Sequence, residues 1–393
     1  MKVGVVKETF PGEKRVSLVP SVLPKLDKAG LNVVVEKGAG YDAGFPDEAY
    51  ASKGARLVDS RAEVFGECDV VTQVRALGAN PEAGAADIGL LKRGQILIAM
   101  TEPLTPNDLV RQAAASGITV FALELVPRIT RAQSMDVLSS MATIAGYKAV
   151  ILAMNSLGRM FPMMMTAAGT ITPAKVLVLG AGVAGLQAIA TARRNGAVVH
   201  ANDIRPAVKE QVESLGAKFV DLPIETKDTE DKGGYAKELS AETLRKQQEV
   251  LAEAAAASDV LITTAAVPGR KAPLLAPRSM VEGMAPGSVI VDLAAERGGN
   301  CELTRPGETV THQGVQILGP VNLPSTVPYH ASEMYARNVT NFLLNMMKEG
   351  KLEMNLEDEI VKETLVCRDG EVLNERVRQI LGLTAAPGQG GAS

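Results

Sequence analysis

Tryptophan is absent from this 393-residue chain, aromatic residues make up 3% of it, and there are three histidines and three cysteines. Cys68, Cys301 and Cys367 stand far apart and never in CxxC spacing. That excludes a disulfide framework and gives no metal site; the thiols read as small core or surface residues. Positive charge is not in excess either, and a net charge of −4 leaves no basic footprint for nucleic acid. The start, "MKVGVVKETF", has no apolar leader, and no uncharged run approaches the roughly 18 to 20 residues that span a bilayer. These absences predict a cytoplasmic protein that holds no metal and does not insert into a membrane.

What is present is an ordinary globular composition, 46% hydrophobic and 22% charged, on a chain long enough for two domains and hence a cleft. The apolar runs "KVGVV", "NVVVEKG", "DVVTQV", "QILIAM" and "TVFALEL" alternate with helical stretches, the pattern of a parallel sheet covered by helices. From Gln133 to about Leu157 a long helical pattern follows, with Val137, Leu138, Met141, Ile144 and Ala145 at three- and four-residue spacing. A second series begins at "AKVLVLGAGVAG" and runs through "SDVLITTAA", "GSVIVDLAA" and "GVQILGP". The amphipathic "SEMYARNVTNFLLNMMKEG" then returns to the first domain. The expected fold is α/β, with two Rossmann-like domains built on parallel sheets. Residues 1–135 with 328–380 form the discontinuous first domain, 136–327 the second, and 381–393 a flexible tail. The Met-rich "RMFPMMMTAAG" reads as core packing in preference to a dimer surface.

Gly180, Gly182 and Gly185 form GxGxxG directly after the buried strand "KVLVL" and directly before a helix. The first glycine suits the tight turn, the second the approach of a pyrophosphate, and the third close helix packing, while the helix N-terminus attracts the phosphates. Asp203 ends the next strand, "AVVHAND", where a carboxylate accepts hydrogen bonds from an adenosine ribose and repels a 2′-phosphate. NAD is therefore expected over NADP. Arg205 stands against that choice, since an arginine there can pair with a 2′-phosphate, and a turn or cap residue is the plainer reading of Asp203.

Two polar segments remain. "DLPIETKDTEDKGGYAKELSAE", with Gly233 and Gly234 beside Tyr235, is either a lid over a site or an inert solvated loop. In "RITRAQSMDVLSS", Gln133, Asp136 and Ser140 fall at i, i+3 and i+7 of the helical pattern, with Ser139 to one side and Arg128 before it. A polar pocket at the domain cleft is one reading, and helix capping by Thr130 or Ser134 the other. His200, His312 and His330 read as structural, so the segment has no evident partner for moving a proton.

Taken together, "RITRAQSMDVLSSMATIAGYKAV", the extended glycine-loop segment, "GGYAKEL" and "PSTVPYHASEMYARN" resemble, over essentially the whole chain, the NAD(H)-binding α subunits of proton-translocating NAD(P) transhydrogenases. That family is in turn similar to alanine dehydrogenases. Where those enzymes carry an arginine, a lysine and a histidine, this chain has Arg15 in "EKRVSLVP", Arg75 in "QVRAL" and Glu102 in "GQILIAMTEP". Transfer of a hydride between two nicotinamides exchanges no proton, so a base is not required.

The resemblance implies that Arg128, Gln133, Asp136 and Ser139 hold the nicotinamide and its ribose and carry catalysis by positioning. It implies cofactor contacts at Gly180, Gly182, Val183, Ala184, Gly185, Asp203, Arg205, Ala265 and Ala266, with Tyr235 on a loop closing over the nucleotide. The implied reaction is Si-specific/Re-specific hydride transfer from NADH to NADP⁺ held on a partner subunit. Membrane-spanning subunits would couple it to proton translocation, making the enzyme a translocase. A homodimer, peripheral at the inner membrane through those partners, is also implied. The alternatives are an alanine dehydrogenase-like amino-acid oxidoreductase, against which Arg75 and Glu102 speak, and a non-catalytic NAD sensor.

Overall fold

The computed structural model describes residues 1–222, 241–267 and 269–383. The chain forms two compact α/β units, one from residues 1–141 with the segment from 325 onward, the other from 142–324. The loop glycines Gly233 and Gly234 with Tyr235, and the end of the tail from 384, lie outside the described residues.

In the first unit, valine-rich segments form β1 (Lys2–Val5), β2 (Asn32–Glu36), β3 (Arg56–Val58), β4 (Val70–Arg75), β5 (Ile96–Met100) and β6 (Thr119–Ala122). These six are parallel, in the order β6, β5, β4, β1, β2, β3, with Val3 paired to Val33 on one side and to Val70 on the other. Strands Leu365–Arg368 and Glu371–Val372 extend the sheet antiparallel beyond β6. Both faces are covered, so residues such as Val70, Val71, Ile98 and Val120 are fully buried, each contributing about 1.5–3 kcal/mol. The run "TVFALEL" is strand only as far as Ala122; Leu123–Leu125 turn into a 3-10 helix. The strand order reverses between β1 and β4, which opens a crevice at their carboxyl ends.

The second unit contains an antiparallel hairpin, β7 (Met164–Thr166) and β8 (Gly169–Ile171). Its sheet comprises β9 (Lys175–Leu179), β10 (Val198–Asn202), β11 (Lys218–Phe219), β12 (Val260–Thr263), β13 (Val289–Asp292), β14 (Thr309–His312) and β15 (Val315–Leu318). The order is β11, β10, β9, β12, β13, β15, β14, parallel except at the β14 edge. Strand alternation splits the core: Val176, Val178, Val260 and Ile262 face one layer, Leu177, Leu179, Leu261 and Ile290 the other.

Two expectations need correction. The long helix does not begin at Gln133: Thr130–Met135 is a 3-10 turn, Asp136 is extended with ψ 96°, and the α-helix is Val137–Ser156. Gln133, Asp136 and Ser140 therefore do not share one helical face. The Met-rich segment is not core packing as a whole. Phe161 is buried, but Met163 is 59% and Met165 80% exposed on the hairpin.

Among the described residues, Val137–Ser156 is the one helix long and apolar enough to cross a membrane by length and composition. Its Ala149, Val150 and Ala153 are fully buried against the second sheet's core.

Candidate functional site

The carboxyl end of β9 is where the second unit builds a ligand cradle. Gly180 takes φ +93°, and a Cβ there would lie 2.7 Å from Thr264 Oγ1 and 3.2 Å from the Ala265 nitrogen. A Cβ on Gly185 would collide with the Gly180 carbonyl oxygen, so only glycine lets the helix Val183–Arg194 start this close to the strand. Gly182 is the N-cap and no side chain caps the helix. The first backbone N–H groups and the positive end of the helix dipole are thus open to an anion, and Val183, 41% exposed, leaves an apolar surface beside them. Ala184 lies half-buried in the same first turn. This arrangement fits the pyrophosphate of a dinucleotide.

Asp203 follows the last residue of β10 and is tied to the same loop. The Ala181 N–H donates to its Oδ2 at 2.8 Å. Arg205 donates to Oδ1 from its backbone nitrogen and Nε, and to Oδ2 from Nη2, all at 2.9 Å. Burial alone would raise the carboxyl pKa, but the hydrogen bonds from Arg205 and Ala181 outweigh it and hold Asp203 below the ordinary aspartate range. The structure therefore pairs the residue on which the expectation of NAD rests with the arginine that stands against it.

Across the loop, half-buried Ala265 and exposed Ala266 follow β12. Thr264 Oγ1 donates to the Gly180 carbonyl at 2.8 Å, and the buried side chain of Asn300 grips Ala265. Neither Thr264, Asn300 nor Asp292, which organises the Asn300 loop, stands out in the sequence. The available signals are a strand-end threonine beside the glycine turn and the pair Gly298–Gly299 just before Asn300.

In the first unit, Asp136 caps the helix Val137–Ser156: its Oδ1 accepts from the Ser139 nitrogen at 2.9 Å and its Oδ2 from Ser139 Oγ at 2.5 Å. The helix cap is thus made by Asp136 with Ser139, and not by Thr130 or Ser134. Asn338 Nδ2 instead donates to the Ser134 carbonyl. Arg128 and Gln133 are exposed, in the approach to the turn and within it.

At the crevice between β1 and β4, Glu13 holds Arg15 bidentately at 2.7 and 2.6 Å and lies 3.4 Å from Arg75 Nε. Arg15 is 2% exposed, and Arg75 stacks on the Phe10 ring at 4.4 Å. Glu102 sits at φ +50°, its nitrogen donating to Glu124 at 2.6 Å. Burial pushes the Glu124 carboxyl up to about 7. His200 lies in β10, where partial burial and the nearby Lys218 and Lys175 push its pKa down. His312 pairs with Glu282 at 2.8 Å, and His330 packs edge-on against Tyr329.

Comparison with known proteins matches this architecture along nearly its whole length. Residues 4–145 match the family described as alanine dehydrogenase/PNT, N-terminal domain, and residues 149–375 its C-terminal domain. The chain is 48% identical over 377 residues to a Rhodospirillum rubrum protein named as the first part of an NAD(P) transhydrogenase subunit alpha, covering 95% of this chain and 98% of the relative. It is 28% identical over 391 residues to an alanine dehydrogenase of Mycobacterium tuberculosis, covering 98% and 97%. The solved transhydrogenase structure from Sinorhizobium meliloti superposes with a TM-score of 0.85 at 45% identity, covering 95% of this chain and all of that one. By both of its domains, then, the chain belongs to the alanine dehydrogenase/PNT family.

Proposed function

We propose that the chain is the NAD(H)-binding component of an NAD(P) transhydrogenase and delivers the hydride of NADH to NADP⁺ held on a partner subunit. The observation that carries this reading is the uncapped helix start behind Gly180–Gly185 with Asp203 tied to it through Ala181, in a chain 48% identical to a protein named for the alpha subunit of an NAD(P) transhydrogenase. When bound, NADH supplies the hydride from its nicotinamide ring. The chain's own residues bind and orient it: the glycine loop, Val183 and Ala184 take the phosphates, Asp203 and Arg205 the adenosine ribose, and Ala265 and Ala266 the far side. Arg128, Gln133, Asp136 and Ser139 are assigned to the nicotinamide and its ribose, and Tyr235 to closure over the nucleotide.

Membrane-spanning partners would couple transfer to proton translocation and hold this chain peripherally at the cytoplasmic face of the inner membrane. We assign the exposed Met163–Met165 hairpin to a homodimer contact, because apolar surface of this kind is stabilised by burial against a second copy. The deciding experiment mixes the purified chain with the NADP(H)-binding subunit of a transhydrogenase and follows hydride transfer from NADH to NADP⁺ optically. Rapid transfer that needs both components supports the reading. NADH binding with no transfer to any such partner would favour a sensor instead.

A further inference from the structure

We propose that Asn300, held by the buried carboxylate of Asp292, is a positioning residue for the nicotinamide half of the bound dinucleotide. The inference rests on the glycine loop being the NAD(H) site and adds a residue pair that no motif covers.

Asp292 ends β13 and is fully buried. Its Oδ1 accepts from Thr263 Oγ1 at 3.0 Å and the Ala294 nitrogen at 2.9 Å. Its Oδ2 accepts from the nitrogens of Asn300 at 2.8 Å and Cys301 at 3.0 Å, and from Thr304 Oγ1 at 2.7 Å. A buried carboxylate is costly unless donors surround it. Four of these five donors come from the loop that follows β13, so the charge folds that loop back onto the sheet end. Gly299, at φ +79°, makes the return possible, since a Cβ there would lie 2.9 Å from Asp292 Oδ2.

The returned loop presents the Asn300 side chain, itself fully buried. Asn300 Oδ1 accepts from the Ala265 nitrogen at 3.0 Å, while Nδ2 donates to the carbonyls of Ala265 and Pro273, both at 2.8 Å. One amide thus clamps the backbone of Ala265 at both its N–H and its C=O. Through the neighbouring Thr264 hydroxyl the clamped segment also meets the Gly180 carbonyl.

Topology says which half of a dinucleotide this segment faces. β10, carrying Asp203 at its end, lies on one side of β9, and β12 lies on the other. A dinucleotide laid across the crevice with its pyrophosphate on the glycine loop puts its adenosine toward β10. The segment after β12 is then left for the nicotinamide nucleotide.

The test titrates the full chain and its Asn300→Ala variant with NADH and, separately, with ADP, and records the melting temperature of each. The expected result is NADH affinity weakened about tenfold, the scale of one or two lost hydrogen bonds, with ADP affinity changed less than about twofold. Equal weakening of both ligands, or no change in either while the melting temperature falls, would overturn the proposal and leave Asn300 a purely structural residue. Asn300→Asp, which keeps the side chain's size and its acceptor for the Ala265 nitrogen but loses both bonds donated by Nδ2, gives the same readout if the alanine variant does not fold. Failure of the unsubstituted chain to bind either ligand would strike the glycine-loop reading itself, and so is distinguishable from failure of the clamp.

Discussion

Asp203 and Arg205 are paired side chain to side chain at the end of β10, Nε to Oδ1 and Nη2 to Oδ2, both at 2.9 Å. With the Arg205 and Ala181 backbone N–H groups added, each carboxylate oxygen accepts two hydrogen bonds. An adenosine ribose reaching Asp203 must therefore share or displace Arg205. The aspartate, whose pKa is held low, keeps the arginine neutralised down to acid pH. On the proposed reading, nucleotide choice rests on the pair itself more than on the isolated charge of either residue.

Removing the acid should change which anion Arg205 favours. Asp203→Ala is expected to weaken NADH about tenfold, as the loss of a charged hydrogen-bond acceptor does, and to strengthen NADPH relative to NADH because the carboxylate that competes with a 2′-phosphate for Arg205 is gone. The double variant Asp203→Ala, Arg205→Ala should lose that gain. Fluorescence titration with both reduced nucleotides checks it; single and double variants with the same NADPH affinity would rule out Arg205 as the switch.

The three loop glycines should separate folding from binding. Gly182 has φ −73°, and a Cβ there would meet nothing nearer than Arg205 Nη2 at 3.9 Å. Gly182→Ala should therefore melt within a few degrees of the unsubstituted protein, yet bind NADH at least about tenfold more weakly, because the methyl occupies the approach of the phosphates. Gly185→Ala collides with the Gly180 carbonyl and should lose stability and binding together. Thermal melts alongside NADH titrations would show both patterns, and a Gly182→Ala variant with full affinity would place the phosphates elsewhere.

Much of this loop is legible in the sequence. The runs "KVLVL" and "SDVLIT" specify buried parallel strands because their β-branched residues suit a sheet covered on both faces, and GxGxxG between strand and helix has few other uses. The start of the helix at Val137 is hidden because apolar spacing continues through the 3-10 turn. An aspartate three residues before a serine, just ahead of an apolar run, is the capping signal that marks it. The methionine hairpin misleads because hydrophobicity does not report exposure in a segment this short. The pairing of Asp203 with Arg205 and the grip of Asn300 on Ala265 depend on loop backbone geometry, which has no periodicity to read.

Glu8 gives a prediction in pH. It is buried just beyond the end of β1, and burial together with the Glu13 carboxylate pushes its pKa up to about 8, against the pull of the Val74 and Arg75 N–H groups. Folded chain then keeps a proton that unfolded chain releases near the ordinary glutamate value of 4.5, so this group's stability contribution is present below that value and is lost as pH rises toward about 8. Glu8→Gln cannot titrate. Whatever its absolute stability, it should fall less between pH 5 and 8 than the unsubstituted protein in urea melts, and parallel pH profiles would show that Glu8 is ionised in the fold.

The last prediction separates hydride transfer between nicotinamides from amino-acid oxidation. Oxidising L-alanine with NAD⁺ requires a group to take a proton and a cation to hold the substrate carboxylate. In this chain the cations at the β1–β4 crevice are already engaged, Glu13 holding Arg15 bidentately and lying 3.4 Å from Arg75, and the sequence resemblance sets Glu102 at the place of an alanine dehydrogenase histidine. L-Alanine and NAD⁺ should therefore give no absorbance of reduced nicotinamide above background at neutral pH. Exposed Gln133, with no proton to move, can act only by position. Gln133→Asn retracts its amide by about 1.5 Å, a misplacement that can cost on the order of a hundredfold in rate. NADH affinity should stay within about threefold, since most of the binding surface is untouched, while transfer to partner-bound NADP⁺ slows by that larger factor. Robust alanine oxidation would return the chain to the dehydrogenases, and an unimpaired Gln133→Asn variant would take this glutamine out of the reacting geometry.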